Sequence, residues 1–285
     1  MEIKTVGVVG CGLMGSGIAQ VCAQAGYSVV VREINDEFLK AGLAKIEKTI
    51  GGAVAKGKMA EADGKAVLGR IRGTTRLEDF AGCDLVIEAA IENLDEKKKV
   101  FAALDAICGP AAIFASNTSS IPIIAMAAAT KRPEQFLGLH FFNPVPVMKL
   151  LEIIRTIKTS DETVAAARAF SDKIGKRSIL AKDRPGFIVN LLLIPYLLDA
   201  IRAYEIGLAT AEDIDNGMVL GCAHPMGPLT LLDFVGLDTT YYIANIMFDE
   251  FKDAKYAPPP LLKQMVTAGY LGKKSGRGFY DYTKG

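Results

Sequence analysis

The stretch Val6-Gly7-Val8-Val9-Gly10-Cys11-Gly12-Leu13-Met14-Gly15-Ser16-Gly17-Ile18 decides the fold. An apolar run from Ile3 to Val9 enters a glycine-rich turn, which opens a helix-like segment reaching Ala25. Gly10, Gly12 and Gly15 satisfy GxGxxG between a strand and a helix, the setting that gives this spacing its meaning. Side chains there would block the tight turn and hold a pyrophosphate away from the backbone amides. The helix that follows turns its partial positive charge towards such an anion. Ser28 to Arg32 reads as the next strand, Val-rich and continuous as buried parallel strands are, and Glu33 stands at its end. A carboxylate there accepts from ribose hydroxyls. Gly10, Gly12, Leu13, Met14, Gly15 and Glu33 are therefore expected to hold NAD. Glu33 repels a 2′-phosphate, whereas Arg32 beside it would welcome one, so NADP stays open as the alternative.

Outward from this unit, Asp36 to Lys58 and Glu61 to Arg70 read as helices, Asp84 to Glu88 as a strand, Asp95 to Ile107 as a helix and Ala111 to Ala115 as a strand. Asp161 to Gly175 is a further helix and Ser178 to Ala181 a short strand. The alternation predicts an α/β fold: an N-terminal, doubly wound Rossmann-type sheet with right-handed crossovers. Asp183-Arg184-Pro185-Gly186 breaks the pattern. Beyond it come amphipathic segments over Ile188 to Glu205, Ala211 to Leu220, Pro228 to Glu250 and Pro259 to Ala268. We therefore expect a dinucleotide-binding domain over residues 1–184 and an all-α domain over 185–285.

Composition narrows the function classes. A net charge of +1 with 50% hydrophobic residues argues against disorder and against a nucleic-acid partner. The start of the chain shows no leader, and no apolar run approaches the about 18 residues of a membrane span, so a soluble cytoplasmic protein is expected. Five scattered cysteines, without the spacing of a zinc site, read as free thiols and no metal is expected.

Chemistry concentrates elsewhere. His140, one of two histidines, lies in Gly138-Leu139-His140-Phe141-Phe142-Asn143-Pro144, and Leu150-Leu151-Glu152-Ile153-Ile154 carries a lone carboxylate. An ionised glutamate among Leu and Ile needs a partner. His140 is the natural one, and imidazole is the side chain whose ordinary titration falls between pH 5 and 8. Ala115-Ser116-Asn117-Thr118-Ser119-Ser120 follows a strand at the carboxyl edge of the sheet, where a polar substrate would bind, although one serine there is explained equally by capping a helix near Pro122. Asn190 interrupts Ile188-Val189-Asn190-Leu191-Leu192-Leu193 and is expected either to staple the domains or to donate to a substrate carbonyl. His224, between proline-rich turns, reads as structural.

Taken in order, GCGLMGSGIAQ, DLVIEAAIEN, ASNTSSIPI, GLHFFNPVPVMKLLEII, RPGFIVNLLLIP, HPMGPL and GRGFYDY span nearly the whole chain. Together they resemble the 3-hydroxyacyl-CoA dehydrogenases, in particular the bacterial 3-hydroxybutyryl-CoA dehydrogenases of fatty-acid and butyrate metabolism. The resemblance implies oxidation of the 3-hydroxyl of an acyl-CoA by NAD, or the reverse. It makes His140 the base, Glu152 its partner, Ser119 the donor to the reacting oxygen and Asn190 a second residue at the substrate. It places Glu92, Lys97, Ser119, Asn143 and Lys274 along the cofactor and Lys56 near the CoA phosphates. Lys56 shares its segment with Lys40, Lys45, Lys48 and Lys58, which otherwise make an ordinary solvated face. The family often carries Asp where this chain has Glu33. Two other readings compete: the 3-hydroxy-acid dehydrogenases and imine reductases, which place a lysine where Asn190 stands, and non-catalytic relatives such as the lambda-crystallins. Surplus apolar helix over Leu191 to Leu198 and Leu229 to Tyr242 predicts a homodimer through the C-terminal domain.

Overall fold

The computed structural model describes residues 2–283. They form two compact units that part after Asp183. The first runs β1 (Thr5–Val9), α1 (Leu13–Gln24), β2 (Ser28–Arg32), α2 (Asp36–Ala55), α3 (Glu61–Gly69), β3 (Ile71–Thr74), β4 (Leu85–Glu88), α4 (Leu94–Ile107), β5 (Ile113–Ser116), α5 (Ile123–Ala127), β6 (Phe136–Phe141), β7 (Leu150–Arg155), α6 (Asp161–Lys173) and β8 (Arg177–Lys182). Its strands make one sheet in the order β3-β2-β1-β4-β5-β6-β7-β8. The first six are parallel, β7 turns antiparallel to β6, and β8 follows β7. The order reverses between β1 and β4, the point beyond which open α/β sheets bind ligands.

Local chemistry sets these boundaries. Every residue of β4, β5 and β6 is buried, as expected of strands covered on both faces. Asn35 starts α2 by accepting from Phe38 N at 2.8 Å, Asn93 starts α4 from Asp95 N and Glu96 N, and Ser160 starts α6 from Thr163 N. The core joins Val6, Val8, Val29, Val31, Leu85 and Ile87 of the central strands to Ile18 and Cys22 of α1.

Three strands go beyond the sequence reading. β3 is a four-residue edge strand, Ile-Arg-Gly-Thr, too short and polar to stand out. β6 carries Gly138 and His140, and β7 carries Glu152, so neither shows an unbroken apolar run. Gly138 is needed there because a Cβ would lie 2.9 Å from Ile123 and from Ile154.

The second unit is helical: α7 (Val189–Glu205), α8 (Ala211–Cys222), α9 (Pro228–Val235), α10 (Leu237–Phe251) and α11 (Pro260–Thr267). The segment read as one helix over Pro228 to Glu250 is two, broken at Gly236, whose φ is +101°. Leu197, Leu198, Ile201, Leu229, Leu232, Leu237, Ala244 and Met247 fill its core. Buried Asp215 starts α9, accepting from Leu229 N and Thr230 N, and also takes the Tyr280 hydroxyl. Buried Asp233 takes Phe279 N, Tyr280 N and the Tyr282 hydroxyl, so the GRGFYDY segment folds back onto it. His224 pairs its Nδ1 with the Tyr196 hydroxyl at 3.1 Å, a structural contact. Among the described residues no helix is long and apolar enough to cross a membrane, and no cluster of three metal-ligating side chains is found.

Candidate active site

The carboxyl edge of the sheet gathers the side chains of interest. Gly10, at the end of β1, has φ +95°, and a Cβ on it would lie 2.7 Å from the Ala89 carbonyl. At Gly15 a Cβ would lie 1.9 Å from the Gly10 carbonyl, so this turn closes only with glycine. Gly12, in contrast, faces nothing within 4 Å. It is also the residue preceding α1, and no side chain caps that end. The open space over Gly12 and the uncapped amides of α1 fit a pyrophosphate, which would supply the missing acceptor. Leu13 is two-thirds exposed and Met14 half-buried beside them.

Glu33 closes the rim of this loop. Its carboxylate accepts from Cys11 N at 2.6 Å and from Ile34 N at 3.2 Å. Burial, reinforced by that carboxylate, pushes the Cys11 thiol up to about 12, which keeps it protonated and inert. Arg32 donates from Nε to the Thr75 carbonyl at 3.2 Å, holding its guanidinium at the turn after β3.

His140 and Glu152 meet by register. They are directly opposed in the antiparallel pairing of β6 with β7, so both side chains leave the same face. His140 Nδ1 lies 2.7 Å from Glu152 Oε2, with His140 4% exposed and Glu152 fully buried. An ionised carboxylate only accepts, so this contact assigns the proton to Nδ1 and leaves the Nε2 lone pair facing outward. Facing Nε2, at 3.2 Å, is the Ser119 hydroxyl. The Phe142 ring packs against the imidazole at 4.5 Å between centroids. Hydroxyl, imidazole and carboxylate thus form a chain able to pass one proton to or from a group beside Ser119.

Glu92 and Lys97 join the same edge. Lys97, 2% exposed, places Nζ 3.1 Å from Glu92 Oε2 and 2.6 Å from Glu88 Oε1. Glu92 Oε1 accepts from the Thr118 hydroxyl, from Ser119 N at 3.3 Å and from the Ser120 hydroxyl at 3.3 Å. Asn143 is exposed just beyond β6. Lys56 ends α2, exposed like Lys40, Lys45, Lys48 and Lys58.

In the second unit Asn190 occupies the first turn of α7, half-buried rather than enclosed, and Lys274 pairs with Asp238 at 2.6 Å. The first unit also holds residues that sequence reasoning did not single out. Glu88, fully buried, is one; it ends an apolar strand with a carboxylate, the same signal that exposed Glu152. Asn117 Oδ1 accepts from Phe141 N at 2.9 Å and ties the end of β5 to β6 beside His140. Buried Lys176 donates to the carbonyls of Val145 and Met148 at 2.7 and 2.6 Å, bracing the connection that carries Asn143, and desolvation lowers its pKa. No motif marks Lys176.

Residues 5–184 match the model of the 3-hydroxyacyl-CoA dehydrogenase NAD binding domain, and 186–282 match the C-terminal domain of the same enzymes. The chain belongs to the 3-hydroxyacyl-CoA dehydrogenase family. It is thus an oxidoreductase with an NAD-binding domain. It is 52% identical to a 3-hydroxybutyryl-CoA dehydrogenase of Mycobacterium tuberculosis, over 98% of this chain and 99% of that one. The human mitochondrial hydroxyacyl-coenzyme A dehydrogenase is 46% identical, over 98% of this chain and 91% of that one. Among solved structures, (S)-3-hydroxybutyryl-CoA dehydrogenase PaaH1 from Ralstonia eutropha superposes with a TM-score of 0.95 at 48% identity, covering 99% of this chain and all of the other.

Proposed function

We propose that this family member interconverts 3-hydroxybutyryl-CoA and acetoacetyl-CoA with NAD(H) in the cytoplasm, as part of fatty-acid or butyrate metabolism, with His140 as the general base and acid. The observation that carries this reading is the chain Ser119 Oγ, His140 Nε2, His140 Nδ1, Glu152 Oε2, with contacts of 3.2 and 2.7 Å at the carboxyl edge. The likeness to the 3-hydroxybutyryl-CoA dehydrogenases of Mycobacterium tuberculosis and Ralstonia eutropha supports the substrate class.

In the oxidation, Ser119 orients the substrate's 3-hydroxyl, and Asn190, by the family's pattern, is a second donor to that oxygen. His140 Nε2 takes the hydroxyl proton as C3 becomes a ketone. Bound NAD supplies the hydride acceptor. Glu152 holds the imidazolium that results, and in the reverse direction that cation returns the proton. The glycine loop and Glu33 seat the pyrophosphate and ribose, with Glu92, Lys97, Asn143 and Lys274 as further residues of the cofactor site and Lys56 as a cation for the CoA phosphates. Glu33 favours NADH over NADPH because a 2′-phosphate would meet its carboxylate, while Arg32 is engaged by Thr75. Leu192, Ile206, Leu208 and Leu220 of the second unit are each 70% exposed or more, and their surplus apolar surface supports a homodimer through that unit.

Steady-state reduction of acetoacetyl-CoA and longer 3-ketoacyl-CoAs with NADH and with NADPH tests the assignment. Rapid NADH oxidation by acetoacetyl-CoA is expected; none, with either cofactor, would overturn it.

A further inference from the structure

We propose that Glu88 is a positioning residue for the reaction, acting through Lys97, Glu92 and Ser116 to fix the loop that presents Ser119. The inference rests on the reading of Ser119 as the hydroxyl that orients the substrate.

Glu88 ends β4 and is fully buried, and its carboxylate is held on both oxygens. Oε1 accepts from Lys97 Nζ at 2.6 Å and from Ala90 N at 2.7 Å, while Oε2 accepts from Ser116 Oγ at 2.6 Å. Two routes lead from it to the loop after β5. One passes through Lys97 to Glu92, whose Oε1 takes Ser119 N at 3.3 Å together with the hydroxyls of Thr118 and Ser120. The other passes through Ser116, whose oxygen accepts from Thr118 N at 3.2 Å. A ring of contacts therefore runs from β4 through the first turn of α4 to residues 116–120 and back.

A ring of this kind is a poor way to stabilise a fold. Desolvating an ammonium and a carboxylate roughly cancels their attraction, and apolar side chains of similar volume do as well. What it supplies is a single geometry, because each carboxylate oxygen has a fixed donor. That geometry matters where the loop hands its next residue to His140 Nε2. Lys97, named by family resemblance as a cofactor residue, has its ammonium enclosed by the two carboxylates, so its service to the cofactor site runs through Glu92.

The test is a double-mutant cycle on acetoacetyl-CoA reduction, with Glu88→Gln made in the natural chain and in Ser119→Ala. Glutamine keeps the volume of the side chain but lacks the charge that orders Lys97. In the natural chain kcat should fall about 10- to 100-fold, since misplacement of a substrate-positioning group by about 1 Å can cost up to about 10²-fold. Because Lys97 and Glu92 also belong to the proposed cofactor site, kcat is read at saturating NADH, so that any weakening of cofactor binding falls on the NADH dissociation constant and not on the cycle. In Ser119→Ala, Glu88→Gln should change kcat by less than about twofold. An equal loss in both backgrounds, or an unchanged kcat in the natural chain, would overturn the proposal. Full turnover by Ser119→Ala alone would instead remove the role of Ser119 on which it stands. If Glu88→Gln lacks a cooperative melt, Ser116→Ala enters the same cycle with the same expected pattern.

Discussion

The two units bury carboxylates for different ends. In the second, Asp215 and Asp233 accept from backbone amides of Leu229, Thr230, Phe279 and Tyr280 and from tyrosine hydroxyls. Those donors belong to chain segments that must be fastened, and none is an imidazole. In the first, Glu152 faces an imidazole, and Glu88, besides the Ala90 amide, faces an ammonium and a serine hydroxyl, side chains at the carboxyl edge of the sheet. Burial alone thus does not mark a reactive site. The partner's freedom to change its protonation, or to place a group that does, is what separates the two kinds.

The two kinds of buried carboxylate should therefore respond oppositely to substitution. The largest effect is expected for His140→Gln, which keeps an amide donor for Glu152 but removes the proton acceptor facing Ser119. Turnover should fall by about 10² to 10⁴-fold with NADH binding and the urea midpoint nearly unchanged; near-normal turnover would place His140 with the structural residues. Asp233→Asn should do the opposite. Setting an amide NH₂ against donors that need an acceptor should cost roughly 2–3 kcal/mol in urea unfolding, with kcat per folded molecule preserved.

That second substitution also carries a pH signature. Burial raises the Asp233 carboxyl above its ordinary value of 3.8, against the pull of the Phe279 and Tyr280 amides and the Tyr282 hydroxyl. The folded state therefore binds this proton more tightly than the unfolded chain. Its contribution to stability is full below 3.8 and shrinks as pH rises through the raised value, so the stability gap between the natural chain and Asp233→Asn should narrow over that window. A gap that widens with pH would reverse the assignment. The smallest effect separates the units by thiol: Cys11 and Cys83 are pushed up to about 12 and Cys108 to about 11, chiefly by burial, and Cys22 is raised by burial as well. A maleimide should label the native protein at exposed Cys222 and reach the other four only after denaturation.

Much of this was legible in the sequence where one residue type sits against its surroundings. The glycine loop, the valine strands and the carboxylate in Leu-Leu-Glu-Ile-Ile each violate or satisfy a local rule. Glu152 could be paired with His140 on chemistry alone, although their distance could not, because an antiparallel register is a property of two strands and neither was visible as one. The Ser119 loop showed itself as a run of small polar residues, yet what holds it did not. Glu88 and Lys97 lie nine residues apart, and only the turn from β4 into α4 brings them together. Lys176 gave no signal at all, since its acceptors are backbone carbonyls, which every sequence contains.

The three glycines of the opening motif also part company. A methyl group at Gly15 would collide with the chain's own backbone, whereas at Gly12 it would meet empty space. One is required by the folding of the chain and the other, in the proposed reading, by the shape of the cofactor. An alanine at Gly12 would leave a well-built protein but obstruct the place proposed for the pyrophosphate, so a motif that reads as a single word answers two separate constraints.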